Sequence, residues 1–446
     1  LPQYRDPVHG FIEITDEEQR IVDSAPFQRL RFIRQLATTY LVYHGAEHTR
    51  FGHSIGVLHL VTRAFDTVMV KHPLLFSAQQ SENEALTAWY RQMLRLLALT
   101  HDLGHAPFSH ASEQLFQGGR THEDYSYDIL QKTEIHTILN DISDCFTTQY
   151  GPGYEITPTL LWALYGKVPL PQAASAHKAD FEFLRGFMDG EMDCDKMDYL
   201  LRDSHFCGVS YGVYDLERFL TTITVYRRPG GAAPLLAINR GGLQAFEEFV
   251  LARYFMFIQV YFHKTRRYLD HLLSQCLAEV LPGGQYPVEI EDYLALDDIE
   301  ILHRIKLSNA APCVAYRHRQ IMTCVRETPV HAVPRERAVF DEICRVLRRE
   351  LPADAIYIDE ADKAAHRLQP LRPYETGDDK VVYIIDRRTG TARSIMQDSL
   401  ILEGIAKPIS VHRLYVRKEY LACATARIDR VCAEAPSGNA PGAQEK

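Results

Sequence analysis

The segment LLALTHDLGHAPFSH, residues 96–110, sets an apolar helix directly against a group of ionisable side chains. His101 and Asp102 stand at the end of that helix, where a cation would take nitrogen from one and carboxylate oxygen from the other. Gly104 releases the chain, and Pro107 restricts the turn that returns His105 and His110 towards the same place. Four ionisable groups in ten residues are poor core material. The fold must therefore build a polar site at the end of a buried helix. A histidine-aspartate pair on its own is as ordinary as any structural pair; the spacing around it gives this one its weight.

The rest of the chain supplies mainly helices. Residues 15–36 read as two short helices with Pro26 in a first turn, after a strand near Ile12–Ile14. Apolar spacing of three and four predicts helices over His53–Met69, Tyr90–His101, Tyr125–Leu130 and Leu184–Met188. Alternation between Leu220 and Arg240, interrupted by Pro229, Gly230 and Gly231, predicts a hairpin. One long helix is then expected from Leu243 to Val280, stopped by Pro282 and two glycines. Beyond that stop, helical DIEILHR and RERAVFDEICRVLRRE alternate with strand-like AIYI, VVYIID and YVRK.

With 446 residues, 46% of them hydrophobic, the chain can bury a large core in more than one lobe. The expected organisation is a helical unit over 1–284, a smaller α+β lobe over 285–434 for packing, oligomerisation or regulation, and a flexible tail over 435–446.

The formal charge of -9 excludes a nonspecific nucleic-acid coat, so any anionic ligand must be met by local positive groups. Nine cysteines form no C-x-x-C pair and read as mostly reduced structural thiols, with room for one disulfide. No apolar run reaches the roughly 18 residues of a membrane span. The opening LPQYRDPVHG has no signal-peptide layout, and a missing initiator Met leads us to expect a residue or short leader before Leu1. The expected location is cytoplasmic.

Two further ligand candidates lie far off in sequence. His53 opens an apolar helix after HTRFG, although a lone histidine is more often structural. In EMDCDKMDYLLRD, Asp195, Tyr199 and Arg202 or Asp203 share roughly one helical face, which leaves the other offsets, Asp198 among them, for the helix surface.

These motifs together, DPVHG, FQRLRFIRQL, HTRFGHSIGV, HDLGHAPFSH, THE, DKMDYLLRDS and VYFHK, resemble the HD-domain deoxynucleoside triphosphate triphosphohydrolase family over about residues 4–270. The resemblance implies a mainly α fold, an HD-domain helical metallohydrolase core followed by the smaller α+β lobe. It implies His53, His101, Asp102 and Asp195 as ligands of one divalent transition metal per subunit, Mn, Fe, Zn or Ni, with Mg a weaker fit. The family reaction is water attack on the α-phosphorus of a dNTP, releasing deoxynucleoside and inorganic triphosphate.

By the same resemblance Arg50, His105, His122, Lys196 and Arg253 belong around the phosphates, and His110 with Glu113 exchanges a proton near the 5′ oxygen, His110 as general acid. Tyr199 stands where a 2′-hydroxyl would lie, Asp203, Gln35 and Leu36 meet the 3′ side of the sugar, and Tyr261 lies near the base.

Asp23, Gln28 and Arg31 match positions that read a guanine edge, and His263 and Lys264 match groups that reach activator phosphates from a neighbouring subunit. GTP or dGTP as activator and a homotetramer, with a dimer as the alternative, are implied. Arg5, Phe11 and Gly52 depart from the family pattern, Gly52 standing in place of a glutamate. Two other functions fit the residues: an HD-domain phosphohydrolase of nucleoside monophosphates or other phosphate esters, and a nucleotide-responsive regulatory or nucleic-acid-binding protein, although nucleic acid is not expected as the main ligand.

Overall fold

The computed structural model describes residues 1–228, 233–368 and 381–434, and of His110 the backbone alone. The chain opens with an antiparallel hairpin, β1 (Gln3–Asp6) and β2 (Gly10–Glu13), followed by α1 (Asp16–Asp23) and α2 (Ala25–Arg29). α1 starts on a reciprocal cap, Thr15 Oγ1 accepting from the Glu18 N–H at 3.1 Å while the Glu18 carboxylate accepts from the Thr15 N–H at 2.8 Å. Pro26 lies in the first turn of α2, as its fixed φ favours.

α3 (Arg50–Lys71) packs along α4 (Gln80–Thr100), burying Val57, Leu58, Val61 and Phe65 of one and Trp89, Met93, Leu96 and Leu97 of the other. α3 runs past both predicted ends and α4 starts well before its predicted start, because their outer turns are less apolar than their centres. Around them stand α5 (His122–Lys132), α6 (Glu134–Tyr150), α7 (Pro158–Tyr165) and α8 (Lys178–Arg185). α9 (Cys194–Cys207) lies between α3 and the later helix α11, which is why both of its sides are buried.

α10 (Leu216–Thr222) leads into the hairpin of β3 (Ile223–Tyr226) and β4 (Leu235–Asn239); the turn predicted at Pro229, Gly230 and Gly231 lies outside the described residues. The single helix expected over 243–280 is two: α11 (Leu243–Met256), a π-turn over Phe257–Tyr261, and α12 (Lys264–Val280), with His263 extended between them. The apolar spacing continues through the break and hides it. The widened turn carries the Tyr261 hydroxyl to Asp203 Oδ2, 2.6 Å away.

After residue 284 come α13 (Ile290–Leu294), α14 (Asp298–Leu307) and α15 (Ala311–Arg317), with α14 and α15 packed on α12. Next are β5 (Thr323–Glu327), α16 (Pro334–Glu350), β6 (Ile356–Lys363), β7 (Tyr383–Ile385), β8 (Ala392–Ser394), α17 (Ile395–Asp398), α18 (Leu400–Gly404), β9 (Ile409–Val416) and α19 (Leu421–Glu434). β9 is the centre of an antiparallel sheet ordered β5-β9-β6, over which α16 and α19 bury Phe340, Ile343, Leu347 and Ala424.

β7 instead pairs in parallel with β4, Ile384 opposite Ile238. Accordingly Tyr286, Tyr293, Ile301, Ile384 and Val411 share one hydrophobic core with Val57 and Leu97. The result is a mainly helical core with a smaller C-terminal region of mixed strands. All nine cysteines are free thiols. Among the described residues no helix is long and apolar enough to cross a membrane. The expected flexible tail lies outside the described residues.

Candidate active site

His53 lies in the first turn of α3, His101 caps the C-terminus of α4 with Asp102 just beyond it, and Asp195 opens α9. The packing of α3 against α4 and α9 turns these four residues to one point. His53 Nε2 is 3.0 Å from Asp195 Oδ1 and 3.6 Å from Asp102 Oδ2, and His101 Nε2 is 3.4 Å from Asp102 Oδ1. One ligand atom from each of His53, His101 and Asp102 falls within 4.8 Å of the others.

The hydrogen bonds also orient the rings. His101 Nδ1–H donates to the Ala98 carbonyl at 2.8 Å, leaving Nε2 buried and without a protein hydrogen-bond partner among the described residues. His53 Nδ1 is 2.8 Å from Asp198 Oδ2, which turns its Nε2 towards the same corner. A divalent cation fits the donor set of His53, His101 and Asp102, and Asp195 stands beside it through its contact with His53.

The electrostatics agree. Burial opposes charge on His53, but Asp195, Asp198 and Asp102 outweigh it and raise its pKa to about 10, so the corner favours positive charge. Burial alone would raise the Asp102 pKa; Arg50, His101 and His105 hold it well below the ordinary carboxylate range.

Arg50 donates to Asp102 Oδ2 and, through Nε, to Ser109 Oγ at 2.9 Å. His105 Nε2 is 3.1 Å from Asp102 Oδ1, and burial followed by the Arg50 charge keeps this imidazole neutral. His122, at the start of α5, stacks on His105 with ring centroids 3.9 Å apart and planes 15° from parallel, and its Nδ1 meets Glu113 at 2.8 Å. Asp102, His105 and His122 are also close enough to hold an ion on distance alone. Parallel stacked rings, however, share no point that lies in both planes, so one ion cannot take an in-plane lone pair from each. This pair is better shaped to face an anion. The side chain of His110 lies outside the described residues.

The turn between these histidines is strained, with Phe108 at φ 61° and Ser109 at φ 53°. Asp298 of α14 steadies it, accepting from the Phe108 N–H at 2.8 Å and the Arg34 N–H at 3.0 Å. Arg29 of α2 also reaches this turn, donating to the His105 carbonyl at 3.0 Å and the Leu296 carbonyl at 2.8 Å.

Beside the corner, Lys196 donates to Asp193 and to the Gly190 carbonyl. Arg253 Nη1 donates to the Ala365 carbonyl at 2.7 Å. Tyr199 meets Tyr261 edge-on at 6.3 Å. Asp203 is buried between Tyr261 and His48, the latter 2.8 Å away. Gln35 and Leu36 are buried, the Gln35 N–H donating to the His48 carbonyl at 3.0 Å; Gln35 Oε1 has no hydrogen-bond partner among the described residues.

The α1–α2 residues form a separate surface group. Gln19 donates to Asp23 at 2.8 Å, Arg31 donates to Gln28 at 2.8 Å, and the Arg31 guanidinium lies 3.5 Å from the Phe51 ring centroid. Arg31 and Phe51 line a cleft of about 330 Å³ with Arg5 and Gly52. His263 immediately precedes α12, beside Tyr43, and Lys264 begins it, beside Tyr415; among the described residues no hydrogen bond, ion pair or ring contact joins them to Asp23, Gln28 or Arg31.

Comparison with known proteins places this geometry. A model of the HD domain matches residues 50–147, and a model of the HD associated region matches residues 214–326. The Bacillus subtilis protein YwfO, described as uncharacterized, is 30% identical over 454 residues, covering 95% of this chain and 93% of that protein. The chain belongs to the HD-domain family. Human deoxynucleoside triphosphate triphosphohydrolase SAMHD1 is 32% identical to this HD-domain protein over 233 residues, 48% of this chain but only 34% of SAMHD1. A solved structure of a hypothetical protein from Aquifex aeolicus superposes with a TM-score of 0.74 at 29% identity, covering 96% of this chain and 99% of that one.

The site of this HD-domain protein includes a group that the sequence reading placed on a helix surface. Asp198 is fully buried, because α9 is covered on both sides. It meets His9 Nε2 at 2.7 Å and both arms of Arg202 at 2.8 and 2.9 Å, and Arg202 also donates to Asp6 at 2.8 Å. Burial would raise the Asp198 pKa; Arg202, His53 and His9 hold it well below the usual range. The offset of three residues from Asp195 was the only available signal, since Asp6 and His9 lie in the distant DPVHG segment. The metal-binding corner and its cationic surroundings make a phosphohydrolase-type active site.

Proposed function

We propose that this HD-domain protein hydrolyses deoxynucleoside triphosphates to deoxynucleoside and inorganic triphosphate. The observation that carries the reading is the placement of the His53, His101, Asp102 and Asp195 corner beside Arg50 on one side and Lys196, Tyr199 and Arg253 on the other. When bound, the divalent ion supplies Lewis-acid charge to an oxygen of the scissile phosphate.

The chain's own groups then bind and orient the substrate. Arg50 and the stacked His105 and His122 would meet the phosphate on the Asp102 side, with Glu113 fixing His122. Lys196 and Arg253 would receive the following phosphates. Attack of water on the α-phosphorus forms the new P–O bond and breaks the bond to the 5′ oxygen, which takes a proton from His110, the general acid assigned from its place in the motif; the proton the water gives up passes to solvent or stays on the triphosphate product. Tyr199 closes the 2′ side of the sugar; Gln35 Oε1, a buried acceptor, and Asp203 suit a donor on its 3′ side, and Tyr261 lies towards the base.

Activation by GTP or dGTP belongs to the same reading, with Asp23, Gln28 and Arg31 reading the guanine and His263 and Lys264 serving a neighbouring subunit of a tetramer. Arg29, between Gln28 and Arg31 in sequence, holds the His105 carbonyl and so offers a physical route from that surface to the catalytic turn.

The test is a panel of dNTPs and NTPs with Mn, Mg, Fe or Zn, with and without GTP or dGTP, analysed for triphosphate, pyrophosphate and phosphate. Inorganic triphosphate from dNTPs, abolished in Asp102→Ala, is the expected result. Orthophosphate from a monophosphate, with dNTPs untouched, would refute the reading in favour of a monoesterase.

A further inference from the structure

Beyond β6 the chain is fastened against α11, the segment that precedes α9, and α18. Arg253 Nη1 donates to the Ala365 carbonyl at 2.7 Å, the Arg367 N–H donates to Glu191 at 3.0 Å, and His366 Nε2 lies 2.9 Å from the Leu402 carbonyl. This holds Lys363, the last residue of β6, beside the candidate phosphate groups. Lys363 Nζ lies 5.8 Å from the centroid of the Phe257 ring, and the Arg253 guanidinium lies 5.5 Å from the same ring.

Four cations from three distant parts of the chain are therefore gathered, Lys196, Arg253 and Arg367 each acting on the charge of Lys363. Their acidic neighbours are largely committed. Asp193 binds Lys196, and Glu191 accepts the Arg367 backbone N–H. Among the described residues no carboxylate forms an ion pair with the head of Lys363 or Arg367. Burial, then Arg253, Arg367 and Lys196, lower the Lys363 pKa, with Glu113 pulling the other way. Cations gathered without matching carboxylates repel one another, and an anion of several charges would relieve that repulsion.

We infer that Lys363 and Arg367 bind the outer phosphates of a polyphosphorylated substrate and make the site select a triphosphate chain over a single phosphate. The inference rests on the phosphohydrolase reading of the site and deepens it, because it gives the C-terminal region a direct part in substrate binding. A chain of three phosphates passing Lys196 and Arg253 offers these heads more negative charge than a single phosphate does.

The test is calorimetric binding of inorganic triphosphate and of orthophosphate to the full-length, Mn-loaded protein. Lys363→Gln and Arg367→Gln together should weaken triphosphate binding about tenfold or more while leaving orthophosphate affinity, Mn content and melting temperature unchanged. Lys363→Arg should restore most of the binding, and with dNTPs the double variant should raise KM with little change in kcat. Unchanged triphosphate affinity in the double variant overturns the inference, as does a wild-type protein that binds triphosphate no more tightly than orthophosphate. Tight triphosphate binding, lost in the double variant, with no dNTP hydrolysis by wild type would leave this inference standing and remove the triphosphohydrolase reading.

Discussion

Asp198 and His53 face each other across the contact between α9 and α3, a carboxylate oxygen 2.8 Å from Nδ1. The aspartate is itself clamped by Arg202 and His9, so the ring that presents Nε2 to the metal corner is held from behind by a buried ionic group. Asp198→Asn should lower Mn or Zn affinity by about 10- to 100-fold, by loosening ring orientation and reducing ligand basicity. It should also lower stability by up to roughly 3 kcal/mol, because Arg202 keeps only Asp6 of its two buried carboxylates. Chelator competition and denaturant melts measure the two effects, and wild-type metal affinity in the variant would contradict this account.

Gly56 faces that clamp from α3. A Cβ at this position would overlap the Asp198 carboxylate and the Arg202 guanidinium, both rigidly held. Gly56→Ala is expected to cost about 1–3 kcal/mol or more. Gly52→Ala, where the new Cβ would come to 3.3 Å from Arg202 Nη1, should cost less. Urea midpoints for the two variants give the comparison, and the reverse order would show that α3 yields more easily than its packing implies.

Asp298 gives the fold an acid-side dependence of defined sign. Burial pushes its pKa from 3.8 up to about 6, even though the Arg34 and Phe108 N–H groups favour its charged form. Between those two values the folded chain binds more protons at this site than the unfolded chain, so its contribution to stability falls as pH rises through the window, by roughly 3 kcal/mol in all. Asp298→Asn cannot titrate. The stability advantage of wild type over this variant should shrink between pH 4 and pH 6 and level off above, as read from denaturant unfolding at each pH.

Asp23→Ala addresses the surface of α1 and α2. If that surface receives a guanine nucleotide, the substitution should reduce the stimulation by GTP or dGTP more strongly than the unstimulated turnover. Steady-state rates with and without nucleotide distinguish the two. Equal loss of both would remove Asp23 from the regulatory role.

Much of the metal corner could be read directly in the amino acids, because His101, Asp102, His105 and His110 crowd the end of an apolar run where a core has no use for them. The resemblance carried His53 and Asp195 to the same point, and the two side chains stand 3.0 Å apart, Asp195 outside the three-residue group of His53, His101 and Asp102. Asp198 was hidden by the assumption that a helix has one dry face; α9 has two. The break between α11 and α12 was hidden because Phe257 to Tyr261 keep an apolar pattern whether the turn is α or π. Lys363 and Arg367 gave no sign at all, since only the pairing of β6 with β9 and the contacts of Ala365 and Arg367 bring them beside Lys196.

The parallel pairing of β4 with β7 bears on how the molecule is made. As a nascent chain leaves the ribosome, every residue of the metal corner is synthesised well before the strand that must lie beside β4. Helices can gather early, yet that sheet edge waits for more than a hundred further residues, and a ribosome stalled in between would present the free edge of β4, paired only with β3, to aggregation.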